Sequence, residues 1–161
     1  MREGTAPVLV DRSFGAAPEQ LQRALIPLDG SSLAEEALRV VTDLAGKPFV
    51  SVQLVRAVAT ASDQSAATDY LDKVAQKLRE SSLRVDTSVR IGDPGHAIEE
   101  AASSVDCVIM ATHGRGGIDR MRHGSIAERA TRSVQVPVLL VRAATAQAAP
   151  PESSASTAAG A

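Results

Sequence analysis

Aromatic residues are scarce in this chain: Trp is absent, and Phe14, Phe49 and Tyr70 are the only three aromatic residues among 161. Hydrophobic residues still make up 44% of the sequence, which predicts a folded domain whose core consists of Val, Ile, Leu and Ala. The scarcity of rings argues against binding of single-stranded nucleic acid, because bases would have little surface on which to stack. The length is sufficient for one domain and too short for two ordinary ones.

Cysteine and long apolar runs are also nearly missing. The single cysteine, Cys107, excludes an internal disulfide and lies in an apolar stretch, so we interpret it as a small buried hydrophobic residue. No apolar run approaches the ~18 residues of a membrane span, and no signal segment opens the chain. We therefore expect a cytoplasmic protein that does not bind membranes.

The charge is small overall but unevenly distributed. The net charge of −2 does not favour a polyanionic partner such as nucleic acid. Residues 113–142 carry six Arg against two acidic residues, whereas the rest of the chain carries eleven basic and seventeen acidic residues. Positive charge is thus concentrated in one stretch of an otherwise acidic protein.

Strand-like and helix-like segments alternate between residues 21 and 142. This order predicts an α/β domain with a single doubly wound, five-stranded parallel sheet and helices on both of its faces. The predicted helices open at Ser32, where Ser32-x-x-Glu35 is a capping box, and at Ala66, Pro94 and Ser125. The strict alternation of Arg84–Ile91 is typical of a strand at the sheet edge. The five predicted strands are Leu21–Leu28, Phe49–Val58, Arg84–Ile91, Asp106–Ala111 and Val136–Val141.

The two ends of the chain lack this alternation. Residues 1–20 are interpreted as an N-terminal arm, in which Val8–Val10 is an added strand, a docking arm or neither. Residues 143–161 are rich in Ala, Ser, Thr and Pro, and we expect them to form a disordered tail.

Two predicted loops follow the carboxyl ends of strands, where doubly wound sheets bind their ligands. In the second, Thr112–Ser125, four glycines and several arginines precede a helix N-terminus, a pattern that favours a phosphate group. Alternatively, its glycines only permit turns, Ser125 only caps its helix, and the arginines are solvated. In the first loop, Asp29–Ser32, the Asp29 carboxylate either binds a ribose hydroxyl, an adenine amino group or a phosphate-bound metal ion, or caps the following helix.

Signs of catalysis are few. The sequence has no Gly-Lys-Ser/Thr of a P-loop, no Gly-x-Ser-x-Gly elbow, and no His-x3-His or Cys-x2-Cys metal spacing. His96 is interpreted as a surface helix residue, and His113 as a residue that either approaches phosphates or supports a turn. With no base evidently poised to activate water, we assign no catalytic residue or direct metal ligand and expect slow turnover or none.

Three motifs together resemble one family. Ala111-Thr-His-Gly114, followed by nine residues and Gly124-Ser125, has the spacing Gly-x2-Gly-x9-Gly-Ser/Thr of nucleotide-binding universal stress proteins. Leu25–Ser31, with Asp29, resembles their opening strand, and Gly92-Asp-Pro resembles their turn before the third helix. The resemblance extends from Leu25 to Arg142. It departs at the first motif glycine, which here is Ala111; its methyl group either crowds the nucleotide or is accommodated, depending on where its Cβ points.

The resemblance implies a Rossmann-like fold of the adenine nucleotide alpha hydrolase type. It also implies a stress-response or signalling module that binds ATP, or AMP or ADP. A Mg or Mn ion would accompany the nucleotide and would be held indirectly near Asp29. A homodimer through the last strand, Val136–Val141, is implied as well, and that apolar strand would be an exposed sheet edge in a monomer. Alternatively, the Val8–Val10 arm covers this edge. Two alternatives stay open: a member without nucleotide that acts through protein partners, and a slow ATP hydrolase. The implied nucleotide-binding residues are Pro27, Leu28, Asp29, Ala57, Met110, Ala111, His113, Gly114, Arg115, Gly124, Ser125, Ile126 and Ala127.

Overall fold

The computed structural model describes residues 7–10, 21–44, 49–112 and 123–142, with the backbone alone for 123–125. Strands and helices alternate along most of these ranges, and a short 3-10 helix, Ala61–Asp63, leads into the second helix. The elements are β1 (Val8–Val10), β2 (Arg23–Pro27), α1 (Ser32–Asp43), β3 (Ser51–Val58), α2 (Gln64–Arg79), β4 (Arg84–Ile91), α3 (Pro94–Ala102), β5 (Cys107–Thr112), α4 (His123–Ser133) and β6 (Val138–Arg142).

The strands form one sheet in the order β1-β6-β5-β2-β3-β4. Strands β2 to β6 pair in parallel, and β2 and β5 are neighbours through Ala24↔Cys107 and Leu25↔Val108. The chain winds outward from β2 to β4 and then returns to β5 and β6 on the other side, so the strand order reverses between β2 and β5. This confirms the predicted doubly wound α/β fold, and β4 lies at one edge as expected.

The predicted count of five strands is wrong by one, because Val8–Val10 adds a sixth strand. β1 pairs antiparallel with β6, with Val8 opposite Leu140 and Val10 opposite Val138. The sheet is therefore mixed rather than wholly parallel. An unpaired apolar edge strand tends to pair with another chain. Because β1 covers β6, this edge already has a partner within its own molecule.

Two apolar layers hold the helices on opposite faces of the sheet. α1 and α2 pack on one face, together with Cys107 and Ile109 of β5, and α3 and α4 pack on the other, together with Val108 and Met110. This alternation explains why β5 reads as a continuous apolar run: both of its faces are buried.

Cys107 has the role expected of it, with 1% of its surface exposed. Burial, reinforced by the nearby Asp106 carboxylate, raises the pKa of the Cys107 thiol to about 12. The protonated thiol is therefore the form that the fold favours.

We expect the free energy of unfolding to fall as the pH rises from about 9 to about 12, since the unfolded chain ionises Cys107 first. Below that window the contribution of Cys107 is fully present. Urea denaturation across this range should show a smaller decline for Cys107→Ala than for the wild type. Equal declines in the two proteins would show that the thiol does not contribute.

The starts of three helices differ from the prediction, and α2 begins at Gln64, two residues before the predicted start at Ala66. α1 is capped by Ser31 rather than Ser32: the Ser31 Oγ accepts a hydrogen bond from the Ala34 N–H at 3.1 Å. The carboxylate of Glu35 does not complete a capping box, because it accepts a hydrogen bond from the Tyr70 hydroxyl. α4 begins at His123, two residues before the predicted start at Ser125.

Candidate functional site

A cavity opens at the carboxyl ends of β2, β3 and β5, where the strand order reverses. It encloses about 90 Å³, and about 640 Å³ when the open space at its mouth is included. The enclosed part is smaller than the roughly 300–1,000 Å³ of typical small-molecule sites, so a nucleotide would bury only part of itself there. The lining residues are mostly apolar: Pro27, Leu28, Asp29, Leu33, Ala34, Val55, Ala57, Pro94, Ala97, Ile98, Met110, Ala111 and Ile126.

A tight turn from Asp29 to Ser31 begins at the cavity, which Asp29 lines. The Asp29 Oδ1 accepts a hydrogen bond from the Ser31 N–H at 2.9 Å, which orients Ser31 to cap α1. Gly30 has a φ of +89°, a conformation that side chains rarely tolerate. The sequence Asp-Gly-Ser thus bends the chain directly from β2 into α1 and leaves Asp29 at the cavity.

Three helices begin at the cavity. Ala34 comes from the first turn of α1, Pro94 from the first residue of α3, and Ile126 from the fourth residue of α4. Helix N-termini carry partial positive charge and free N–H groups, so their convergence favours an anionic ligand beside the apolar walls. The arrangement suits a molecule with an apolar flat part and a negatively charged part.

The N-terminus of α3 is held by Asp93. Its carboxylate accepts a hydrogen bond from the His96 N–H at 2.9 Å and pairs with Arg129 of α4, also at 2.9 Å. A Cβ on Gly95 would lie 2.8 Å from the Arg129 guanidinium carbon, so the absence of a side chain at Gly95 permits this close approach. Asp93 therefore links two of the three helices that begin at the cavity.

Asp93→Ala should destabilise the protein by about 1 kcal/mol, because it removes the cap of α3. Asp93→Asn keeps a capping oxygen and loses only an exposed ion pair, so its cost should stay below about 1 kcal/mol and should vanish at high salt. Chemical denaturation at low and high ionic strength compares the two. Equal losses for both variants would mean that the ion pair, and not the cap, holds α3.

Seven of the thirteen predicted nucleotide-binding residues line the cavity: Pro27, Leu28, Asp29, Ala57, Met110, Ala111 and Ile126. Ala127, a residue of α4, faces the core, and 4% of its surface is exposed. Gly124 and Ser125 lie in the first turn of α4. His113, Gly114 and Arg115 fall outside the described residues, as do most of the predicted loop Thr112–Ser125 and the tail 143–161.

Ala111 replaces a motif glycine, and its surroundings indicate where its methyl group is accommodated. Ala111 lines the cavity and packs against the core layer of α1 and α2, whereas its neighbour Met110 belongs to the layer of α3 and α4. The methyl group therefore has a place in the core layer beside α1.

Sequence reasoning missed six lining residues: Leu33, Ala34, Val55, Pro94, Ala97 and Ile98. All are small or apolar and lack a chemical signature of their own. Leu33 and Ala34 directly follow the predicted Asp29–Ser32 loop, and Pro94 follows the Gly92-Asp93 turn. Proximity to those turns was the available signal.

The described residues contain neither a cluster of metal ligands nor a membrane-spanning helix. No group of three or more His, Cys, Asp or Glu side chains that could hold a metal ion occurs in the ranges the structure describes. Within the same ranges no helix combines the length and apolar character needed to cross a membrane. A wider groove of about 520 Å³ separates α1 from α2, but it lies along helix surfaces rather than at strand ends.

Residues 20–142 match the universal stress protein family. Among curated relatives, the chain is 27% identical over 139 residues to universal stress protein MJ0531 of Methanocaldococcus jannaschii, which covers 75% of this chain and 82% of the relative. It is 27% identical over 157 residues to universal stress protein Rv2005c of Mycobacterium tuberculosis, covering 88% of this chain and 53% of the relative. The chain thus spans about half the length of that mycobacterial relative.

Solved structures share the fold at lower identity. A universal stress protein in complex with cAMP aligns with a TM-score of 0.63 and 18% identity, covering 76% of this chain and 98% of the other. An Arabidopsis thaliana protein of the same family with AMP bound aligns with a TM-score of 0.58 and 13% identity, covering 81% of this chain and 97% of the other. The family match covers most of the chain, and these solved structures share its fold. The chain belongs to the universal stress protein family.

Proposed function

We propose that this protein binds an adenine nucleotide in the cavity at the carboxyl ends of β2, β3 and β5, and acts as a stress-response or signalling module. The observation that carries the proposal is the position of the cavity, which coincides with the reversal of strand order and with seven of the residues that the family resemblance implies. Doubly wound sheets bind their ligands at this point.

The walls of the cavity match the parts of such a ligand. Ala57, Met110 and Ile126 offer apolar contacts for a base, and the carboxylate of Asp29 can accept hydrogen bonds from ribose hydroxyls or an adenine amino group. The N-termini of α1, α3 and α4 would favour the phosphate. Because the enclosed space is small, we expect base and ribose to enter and phosphates to remain near the mouth.

Two fold neighbours hold AMP and cAMP, which favours a monophosphate as the first ligand to test. ATP, and a magnesium or manganese ion held through its phosphates, remain predictions from the family resemblance. A cytoplasmic location remains a prediction from the scarcity of cysteine and of long apolar runs, and slow or absent turnover remains a prediction from the lack of an evident base.

Calorimetric titration and thermal unfolding with AMP, ATP and cAMP test the proposal, with GMP as a control for the base. At a hundredfold excess over Kd, the preferred nucleotide should stabilise the protein by about 2.7 kcal/mol. Absence of both heat and a melting shift at millimolar concentrations of all three adenine nucleotides would contradict the proposal. It would favour the alternative in which the protein acts through protein partners.

The expected homodimer bears on the same proposal. In this chain the outer edge of β6 pairs with β1, so a dimer through β6 would require β1 to leave that edge. Within the described residues, no residue of β6 is among those that line the cavity, and we therefore propose that nucleotide binding does not depend on the pairing of two β6 strands.

A further inference from the structure

Arg56 of β3 lies against the outside of the Asp29–Ser31 turn. If Gly30 carried a Cβ, that atom would lie 3.1 Å and 3.2 Å from the two terminal nitrogens of the Arg56 guanidinium. Arg56 does not line the cavity, although Val55 and Ala57 on either side of it do. Because successive strand residues point to opposite faces, Arg56 approaches the turn from the α1 and α2 face of the sheet.

The guanidinium also contacts Tyr70 of α2. The guanidinium carbon lies 4.9 Å from the centroid of the Tyr70 ring, within the range of a cation–π contact. Arg56 thus contacts an aromatic face and lies close to the backbone of Gly30. The planar guanidinium suits this position, since it can stack on a ring in a way that an ammonium group cannot.

Tyr70 is itself fixed at its far end. Its hydroxyl donates a hydrogen bond to the Glu35 Oε1 at 2.8 Å, and Glu35 lies in the first turn of α1. Burial and the Glu35 carboxylate raise the pKa of Tyr70 well above its usual range, so the phenol stays a donor. The chain of contacts therefore runs from α1 through Tyr70 and Arg56 back to the turn that opens α1.

We propose that Arg56 is a positioning residue for the nucleotide site: its guanidinium, stacked on Tyr70, holds the Asp29–Ser31 turn so that Asp29 faces the ligand. This inference rests on the proposed nucleotide binding. The Asp29 Oδ1–Ser31 N–H hydrogen bond closes the turn from within, but Gly30, at a φ of +89°, has no side chain to anchor the turn against the rest of the protein. The contact with Arg56 supplies that anchor.

The chain contains its own reporter for this contact. Tyr70 is the only tyrosine and Trp is absent, so tyrosine emission comes from one ring in contact with Arg56. Binding of AMP against the turn should therefore change the Tyr70 emission, and the change should depend on Arg56.

Arg56→Met tests the inference, because it keeps an unbranched side chain and removes the planar cation. We expect the Kd for AMP to rise about tenfold and the AMP-induced change in Tyr70 emission to disappear. Arg56→Lys, which keeps the charge without the plane, should restore affinity only in part. Arg84→Met, an exposed position at the opposite end of the sheet, is the matched control and should bind AMP like the wild type.

Each outcome bears on a different claim. If the wild type binds AMP and Arg56→Met keeps both the affinity within twofold and the emission change, the role of Arg56 is refuted. If Arg56→Met fails to fold, Tyr70→Leu, which removes the stacking ring, decides by its AMP affinity in calorimetry: a weakened Kd supports the role and an unchanged Kd refutes it. If the wild type binds none of AMP, ATP and cAMP, the proposed function fails, and the role of Arg56 fails with it; if it binds ATP or cAMP but not AMP, the same variants are compared with that nucleotide.

Discussion

Replacing Ala57 by Leu should weaken AMP binding by at least about tenfold while the protein remains folded. Ala57 lines the cavity from the end of β3, and its side chain is partly exposed rather than locked in the core. The added carbon atoms would occupy much of the roughly 90 Å³ that the cavity encloses. A ligand that fits against Ala57 would lose its place, and a tenfold weakening corresponds to about 1.4 kcal/mol.

Ala66→Leu is the matched control, since it adds the same atoms at an exposed position on α2. Calorimetry should give this variant the affinity of the wild type, and thermal unfolding without ligand should show that both variants fold. An Ala57→Leu protein that folds and binds AMP like the wild type would place the nucleotide outside this cavity.

Phe49→Ala should lower the free energy of unfolding by about 3–5 kcal/mol, the range for removing a buried phenylalanine. Phe49 is 2% exposed and is the largest of the fully buried side chains in the described residues. It packs in the layer beneath α1 and α2.

The neighbouring Val50 offers a control because it is 43% exposed. Val50→Ala should change stability by no more than about 0.5 kcal/mol, and Phe49→Leu should fall between the two. Urea denaturation compares all three with the wild type. A loss below about 1 kcal/mol for Phe49→Ala would show that the layer beneath α1 and α2 is not the tightly packed core described here.

The parts of the fold that sequence reasoning predicted well are those decided by local pattern. Alternation within Arg84–Ile91 located β4 residue by residue and indicated its place at an edge. The pairing of Val8–Val10 was left open because its partner, β6, lies about 130 residues away, and three apolar residues carry no period that identifies one.

The capping of α1 shows a finer limit. Ser31 and Ser32 both suit an N-cap, and Glu35 stands at the correct spacing after Ser32 for a capping box. Two contacts outside that pattern decide the matter: Asp29 binds the Ser31 N–H, and Tyr70 engages the Glu35 carboxylate. The second of these joins residues 35 positions apart, which no local rule captures.

The residues of the candidate site likewise divide into those that the sequence can identify and those whose position depends on tertiary packing. Asp29 could be chosen because it is a carboxylate that directly follows a strand, and Ala111 because of its spacing from Gly114 and Gly124. Ala97 and Ile98 could not, since their place at the cavity depends on how α3 packs against the sheet. Arg56 could not be chosen either: the sequence shows one arginine among the apolar residues of β3 and nothing that places it beside Gly30 and Tyr70.

Determination of a crystal structure with AMP bound tests the central claim most directly. The account predicts AMP at the carboxyl ends of β2, β3 and β5, with its adenosine between Asp29 and Ala57 and its phosphate near the first turn of α4. AMP bound elsewhere, such as in the groove between α1 and α2, would contradict the account, as would crystals that contain no AMP after growth at saturating concentration.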